Sequence, residues 1–311
     1  MLLDRRWAPM KEEMQQMTNP PRSCIICGSI GRLAYEANID PAMMSEFTYS
    51  SRKIPELMHY EYFECESCEL LFVADLPKRE ALLAEYEGAA FDASTESRFA
   101  AQAYLRGLRR ILGLGVDSVL DVGCGDGEFL LACRDLGITR LQGIEPSTAA
   151  SSLAREGIGS CIRAGGYEEQ SAGEQFDLVT LFQTIEHIVD PLGFLAKTKE
   201  LVRPQGYVAV ACHDYHALVN RIMKQKSPIF DIEHLQIFSP KSITKAMEKS
   251  GLEVISIKPY TNTYPLGYWM RLAPIPRGIK ARPIVTRGWL AKQPIRLPIG
   301  NLMAIARVPG G

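Results

Sequence analysis

Two cysteine pairs, Cys24-Ile-Ile-Cys27 and Cys65-Glu-Ser-Cys68, stand first among the residues whose types and spacing could do chemistry. A C-x-x-C sequence sets two thiolates on one tight turn, and two such turns can close a tetrahedral, all-thiolate zinc site. The second pair sits in "FECESCELLFV", a strand entering and leaving a knuckle, as a zinc ribbon requires. The connector of 37 residues is long for a ribbon, and two other readings stand beside it: four buried thiols, or a redox-active pair. A redox pair would favour a helix N-terminus, and two matched pairs favour a metal. With all four positions filled by protein, the ion is expected to be structural. Cys124, Cys133, Cys161 and Cys212 read as small buried hydrophobes.

The second feature is "SVLDVGCGDGEFL", residues 118–130, in which Gly123, Gly125 and Gly127 follow an apolar run. The spacing is one residue tighter than the G-x-G-x-x-G of dinucleotide-binding loops, and the Lys-Ser/Thr of a phosphate loop is missing. Asp121 and Asp126 would repel a pyrophosphate, whereas a ligand bearing an amino group and a sulfonium would be drawn to them. The following strand ends in "LQGIEPS", which places Glu145 where a carboxylate can accept hydrogen bonds from both ribose hydroxyls. Tight turns alone would account for the glycines, but not for the flanking acids.

These residues need a frame, and the text around them alternates between two periods. Strands are predicted near 118–122, 140–144, 160–163, 176–182, 206–212, 252–258 and 301–308, with helices at about 127–136, 147–156, 191–202 and 240–250. Ser239, Pro240 and Gly251 supply the cap, first turn and stop of the last helix. Two helices precede the glycine loop, "KREALLAEYEG" and residues 95–112. Such alternation predicts an α/β fold, a seven-stranded, doubly wound, mostly parallel sheet covered on both faces, with a small N-terminal zinc-ribbon module. The expected division is a flexible N-terminus (1–20), the ribbon (21–76), a helical lid or linker (77–114) and a ligand-binding domain (115–311) with an irregular basic insertion at 259–300.

"LDVGCGDGEFL", "GIEPS", "FDLVTLFQTIEHIVDP" and "LVRPQGYVAVACHD" resemble, in order and spacing, the successive motifs of class I S-adenosylmethionine-dependent methyltransferases over about residues 95–258. The closing "IGNLMAIARV" is similar to that fold's last, antiparallel strand. The resemblance implies a Rossmann-like domain that binds S-adenosylmethionine. Gly123, Gly125 and Gly127 would let the backbone approach the methionine part, Asp121 would orient its amino group and Glu145 would hold the ribose. Gly166 and Tyr167 would meet adenine, and Phe182 and Gln183 would border the sulfonium.

A narrower resemblance, to zinc-ribbon sugar C-methyltransferases acting on nucleotide-linked deoxysugars, rests on the cysteine pairs, the Glu-His after the fourth strand and the Glu-His before "FS". It implies that His187, Glu233 and His234 line the acceptor pocket and remove a proton. This chain has Phe91 where that group has an aromatic hydroxyl and Asp231 where it has a tyrosine, and it lacks that group's further C-terminal domain. The expected reaction is therefore methyl transfer to a hydroxyl, or an activated carbon, of a sugar, a polysaccharide precursor or a small metabolite. On the residues alone, His187 could instead cap the helix that starts at Pro191, and His234 could be a loop histidine bonded to backbone. Tyr86 reads either as part of a lid over the cofactor or as helix packing, and neither His59 nor His216 receives a role.

Composition bounds the rest. The 46% apolar and 23% charged fractions over 311 residues are those of a globular protein, and the N-terminus lacks the apolar centre of a secretory signal. A reducing, cytoplasmic setting is expected, with peripheral attachment to the inner face of a membrane as a further option. After Glu253 there is no acidic residue and nine basic ones, while the first 253 residues hold 26 basic and 36 acidic side chains. Eight of the 19 prolines, together with Trp269 and Trp289, fall in the same stretch. Residues 258–296 would suit an anionic membrane surface or a lipid-linked substrate. A substrate-covering insertion or a solvated surface also fits. The overall pI of about 6.5 argues against a nucleic-acid partner. Two alternatives remain at this stage: an RNA methyltransferase whose ribbon recognises substrate, and a non-catalytic scaffold that binds the cofactor.

Overall fold

A computed structural model describes residues 22–45, 47–49, 56–91, 94–154, 156–167, 173–273 and 288–310. Residues 1–20, and Arg277, Lys280, Arg282 and Arg287 of the basic segment, lie outside the described residues. Among the described residues the strands form two sheets. The smaller begins with β1 (Arg32–Tyr35), β2 (Tyr62–Glu64) and β3 (Leu71–Val73), antiparallel in that order. The two helices that follow are α1 (Arg79–Glu87) and α2 (Ser94–Leu112).

The larger sheet opens with β4 (Ser118–Val122), α3 (Glu128–Asp135), β5 (Arg140–Glu145), α4 (Thr148–Ser152) and β6 (Ile162–Ala164). It continues through β7 (Phe176–Phe182), α5 (Pro191–Glu200), β8 (Val202–His213) and α6 (Leu218–Met223). A two-residue strand, β9 (Gln236–Ile237), leaves this run and pairs with β3, so the ribbon sheet takes its fourth strand from the middle of the α/β unit. The chain then forms α7 (Pro240–Lys249), β10 (Glu253–Pro265), α8 (Leu266–Leu272) and β11 (Pro294–Arg307). The seven strands lie in the order β10-β11-β8-β7-β4-β5-β6, and only β11 runs antiparallel to its neighbours.

The central strands read as near-continuous apolar runs because helices cover both faces. Val119, Leu120, Leu178, Val179 and Leu181 are buried there. One face packs α5 and α7 together with Phe63 and Phe72 of the ribbon, and the other packs α2 and α3. As the sequence predicts, Ser239 caps α7, its side chain accepting from the Ser242 N–H, and Gly251 stops the helix in the left-handed region.

Two expectations change. The helix predicted over 147–156 is α4 alone, where Ser151 and Ser152 turn their hydroxyls back on the carbonyls of Thr148 and Ala149. The stretch 259–300 is less irregular than predicted, because β10 and β11 extend into it as one long antiparallel hairpin. Its prolines fall where strands tolerate them: Pro259 on the outermost strand, and Pro265 opposite Pro294 at the far end of the described pairing. No helix among the described residues is long and apolar enough to cross a membrane.

Candidate active site

The C-terminal ends of β4, β5, β7 and β8 open onto one cavity of about 990 Å³, within the range that holds a small-molecule ligand. Gly123 and Gly125 at its wall, and Gly127 just behind them, have φ of +76°, +56° and +77°, the left-handed region that disfavours any side chain. The loop is pinned back on β5, with Gly123 N–H donating to Ile144 O at 2.8 Å. Glu145 reinforces it: one carboxylate oxygen accepts from Gly125 N–H at 2.8 Å and the other from Ser147 N–H at 2.9 Å. Each oxygen keeps a lone pair for a further donor. Burial raises the pKa of Glu145, and pushes that of Asp121 up to about 7 although Thr180 Oγ1 donates to it at 2.6 Å.

Gly166 and Tyr167 line the cavity beside Glu145, with the Tyr167 ring held edge-on to Phe194 and the Lys197 ammonium above it. Phe182 stacks on Tyr104 of α2 at 4.0 Å between centroids. Gln183 has φ of +53°, an uncommon conformation for a side-chain-bearing residue, and its amide donates to the Tyr260 hydroxyl at 3.2 Å. Phe91 faces Gly125 across the loop, 3.8 Å from where a Cβ would stand.

The opposite wall gathers three imidazoles. The rings of His187 and His213 each lie 5.0 Å from that of His234. His234 Nδ1 is 2.8 Å from Ile229 O, and His187 Nδ1 is 3.0 Å from Glu233 O. A carbonyl can only accept, so each Nδ1 carries the proton and each Nε2 is the basic nitrogen. The Tyr86 hydroxyl donates to Glu233 O at 3.3 Å and sits 2.9 Å from His187 Nδ1. Glu233 thus orients His187 through its backbone, while its side chain lines the cavity. His213 Nδ1 meets Asn301 Oδ1 at 2.7 Å, and burial pushes this imidazole down to about 4, which keeps it neutral.

The short turn 185–187 and the loop before β9 are tied together. Leu235 N–H donates to Glu186 O, and the Gln236 amide donates to the carbonyls of Ile185 and Ile188. Below them Glu186 is fully buried, accepts from His213 N–H at 2.8 Å and is pushed up to about 8 by burial. The ribbon also reaches this wall, where the Tyr62 hydroxyl donates to His234 O. His216 lies between ribbon carboxylates, 3.5 Å from Glu69 and 3.8 Å from Glu64, and His59 is buried against Tyr60 O.

All the sequence-derived candidates of the α/β unit except Gly127 therefore line one cavity, and Gly127 instead packs towards Ile158 and Ile162. Sequence reasoning did not assign Tyr104, His213, Tyr260 or Asn301, which come from four separate elements. The signal available for His213 was its place at a strand's C-terminal end. The sulfurs of Cys24, Cys27, Cys65 and Cys68 lie within 4.8 Å of one another, with Cys24–Cys68 at 3.4 Å and Cys27–Cys65 at 3.3 Å. Four Zn–S bonds of about 2.3 Å set sulfurs roughly 3.8 Å apart, so this donor set fits a tetrahedral metal ion. The Cys24 thiol is drawn down to about 5, chiefly by hydrogen bonding with Cys68. Cys124, Cys133 and Cys212 are buried and Cys161 is half-buried.

A family profile described as a methyltransferase domain matches residues 95–257, more than half of the chain. The ubiquinone biosynthesis O-methyltransferase of Rhizobium leguminosarum bv. trifolii is 30% identical over 155 residues, 44% of this chain and 59% of that protein. The enzyme of the same name from Aromatoleum aromaticum is 27% identical over 183 residues, 51% of this chain and 75% of that one. Among solved structures, a SAM-dependent methyltransferase from Archaeoglobus fulgidus is 18% identical, with a TM-score of 0.45 over 68% of this chain and 97% of its own. The profile match and the glycine loop agree: the chain belongs to the methyltransferase-domain family and has the class I, S-adenosylmethionine-dependent fold.

Proposed function

We propose that this chain transfers the methyl group of S-adenosylmethionine to a hydroxyl of a saccharide or a similar small hydroxylated ring. The observation that carries the reading is the pairing of His187 and His234, both with Nδ1 held on a carbonyl, in the cavity that the glycine loop walls. The cofactor supplies an electrophilic methyl on a sulfonium. Gly123 and Gly125 would admit its methionine part, with Gly127 closing the turn behind them, while Asp121 would hold the amino group, Glu145 the ribose, and Gly166 and Tyr167 the adenine. Phe182 and Gln183 exclude water around the sulfur. Nε2 of His187 or His234 would take the hydroxyl proton as the acceptor oxygen receives the methyl group. Glu233, His213, Asn262 and Asn301, which also line the cavity, would bind the remaining hydroxyls. The four cysteines hold zinc as a structural ion, since no coordination position remains for substrate.

A phenolic hydroxyl is the second acceptor this reading admits. Tyr264, Tyr268 and Trp269 form an aromatic wall of the cavity, and the relatives named above are O-methyltransferases of ubiquinone biosynthesis. The test is mass-spectrometric detection of methylated product from S-adenosylmethionine with panels of sugar nucleotides and of catechols. Replacing His187 and His234 together by Ala should lower kcat by about 10²–10⁴ and leave S-adenosylhomocysteine affinity within a few-fold. A double variant that methylates as fast as the parent would remove the base assignment.

A further inference from the structure

The helix α6 and the far end of the β10–β11 hairpin expose apolar side chains that the fold does not use. Leu218 is 74% exposed and Ile222 71%, four residues apart and so on one face of α6. Their neighbours Val219 and Met223 line the cavity. On the hairpin side, Trp289 is 73% exposed and Leu290 46%, in a short turn that abuts α8, and Ile295 and Leu297 follow on β11. Both groups adjoin residues that line the cavity. Asn220 Nδ2 donates to Gly300 O at 3.3 Å, which fixes α6 against β11, and Leu297 and Ile299 line the cavity from that side.

The two segments that carry these side chains, residues 215–230 and 254–311, hold no acidic residue. Arg221, Lys224, Lys226 and Lys292 are exposed, and none of the four pairs with a carboxylate among the described residues.

We infer that α6 and the hairpin end dock the protein on an anionic lipid bilayer with the cavity mouth against the membrane. Aliphatic side chains at more than 70% exposure gain by entering the acyl boundary, and each nearby Lys or Arg adds roughly 1 kcal/mol at an anionic surface. A second copy of this chain would bring two like-charged faces together. Nucleic acid would call for rings on which bases stack, and here Leu218, Ile222, Leu290, Ile295 and Leu297 outnumber the one exposed Trp289. An acceptor carried in the membrane would reach the histidines between Met223 and Leu297 without crossing bulk water.

The test is flotation of the full chain with phosphatidylcholine vesicles, with and without phosphatidylglycerol. It needs neither cofactor nor acceptor, so its outcome is separate from that of the methyl-transfer reading. The protein should float with the anionic vesicles, less so as salt rises, and remain in solution with the neutral ones. Leu218→Ser with Ile222→Ser should weaken binding by about tenfold or more. Both positions are exposed, so the variant keeps its Tm. Lys224→Glu with Lys226→Glu should remove the preference for anionic lipid. The inference falls if neither vesicle binds, if both bind equally, if the serine variant floats like the parent, or if single-stranded RNA binds and displaces the protein from vesicles.

Discussion

Asp121 combines full burial, a hydrogen bond from Thr180 and a pKa raised to about 7, so without a cation beside it the carboxyl is largely protonated below neutrality. An ammonium group in the cavity favours the carboxylate and lowers that pKa. The protonation states of the two forms then differ below pH 7, where the ligand must expel a proton. Affinity for S-adenosylhomocysteine should therefore rise with pH up to about 7 and then level, with proton uptake by buffer visible by calorimetry at pH 6. Asp121→Asn should flatten the dependence and weaken binding by about tenfold to a hundredfold. Flat affinity in the parent protein would show that Asp121 does not meet the amino group. Asp121 and Glu145 were legible in the sequence because apolar runs fix where their strands end. His213, Asn301 and Tyr260 were not, because each gains its meaning from a neighbour on a different strand.

The glycine loop is the element on which the most can be measured. A Cβ on Gly127 would stand 2.5 Å from Ile158 Cγ2 and 2.8 Å from Ile162 Cδ1, at a φ of +77°. Gly127→Ala should cost about 2–5 kcal/mol of stability through backbone strain and overpacking. At Gly125 the nearest atoms are 3.8 Å away on Phe91, so Gly125→Ala should cost only the backbone strain, about 1–2 kcal/mol. Denaturant unfolding of the two variants separates them, and equal losses would contradict the packing described here. Most strands and helices of the sheet were readable from apolar periodicity and from caps such as Ser239. The outer half of the hairpin was not, because prolines and charges mask the alternation of Tyr260, Asn262 and Tyr264 on one strand with Ile295 and Leu297 on the other. Its bulges, between Val254 and Ser256 and between Tyr260 and Asn262, leave no mark that a sequence pattern can hold.

At the scale of the molecule, the cysteine module and the segment that follows His234 share a sheet. β3 pairs with β9 two residues after His234, and Tyr62 of β2 holds the His234 carbonyl. Stripping the metal with a chelator should misplace His234 and lower acceptor turnover by about 10²-fold, while S-adenosylhomocysteine affinity stays within a few-fold. Zinc release by colorimetry, alongside binding and turnover, measures all three, and unchanged turnover in metal-free protein would uncouple the module from the site. That coupling was invisible in the sequence, since it joins residues more than 160 positions apart. A separate consequence follows from β10, thirteen residues long and with one flank unpaired among the described residues of the larger sheet. Such a border invites a neighbour's backbone to zip onto it. Pro259 withholds a donor midway, Lys258 adds charge and two bulges break the even ladder, so the molecule resists polymerising side by side when it is concentrated.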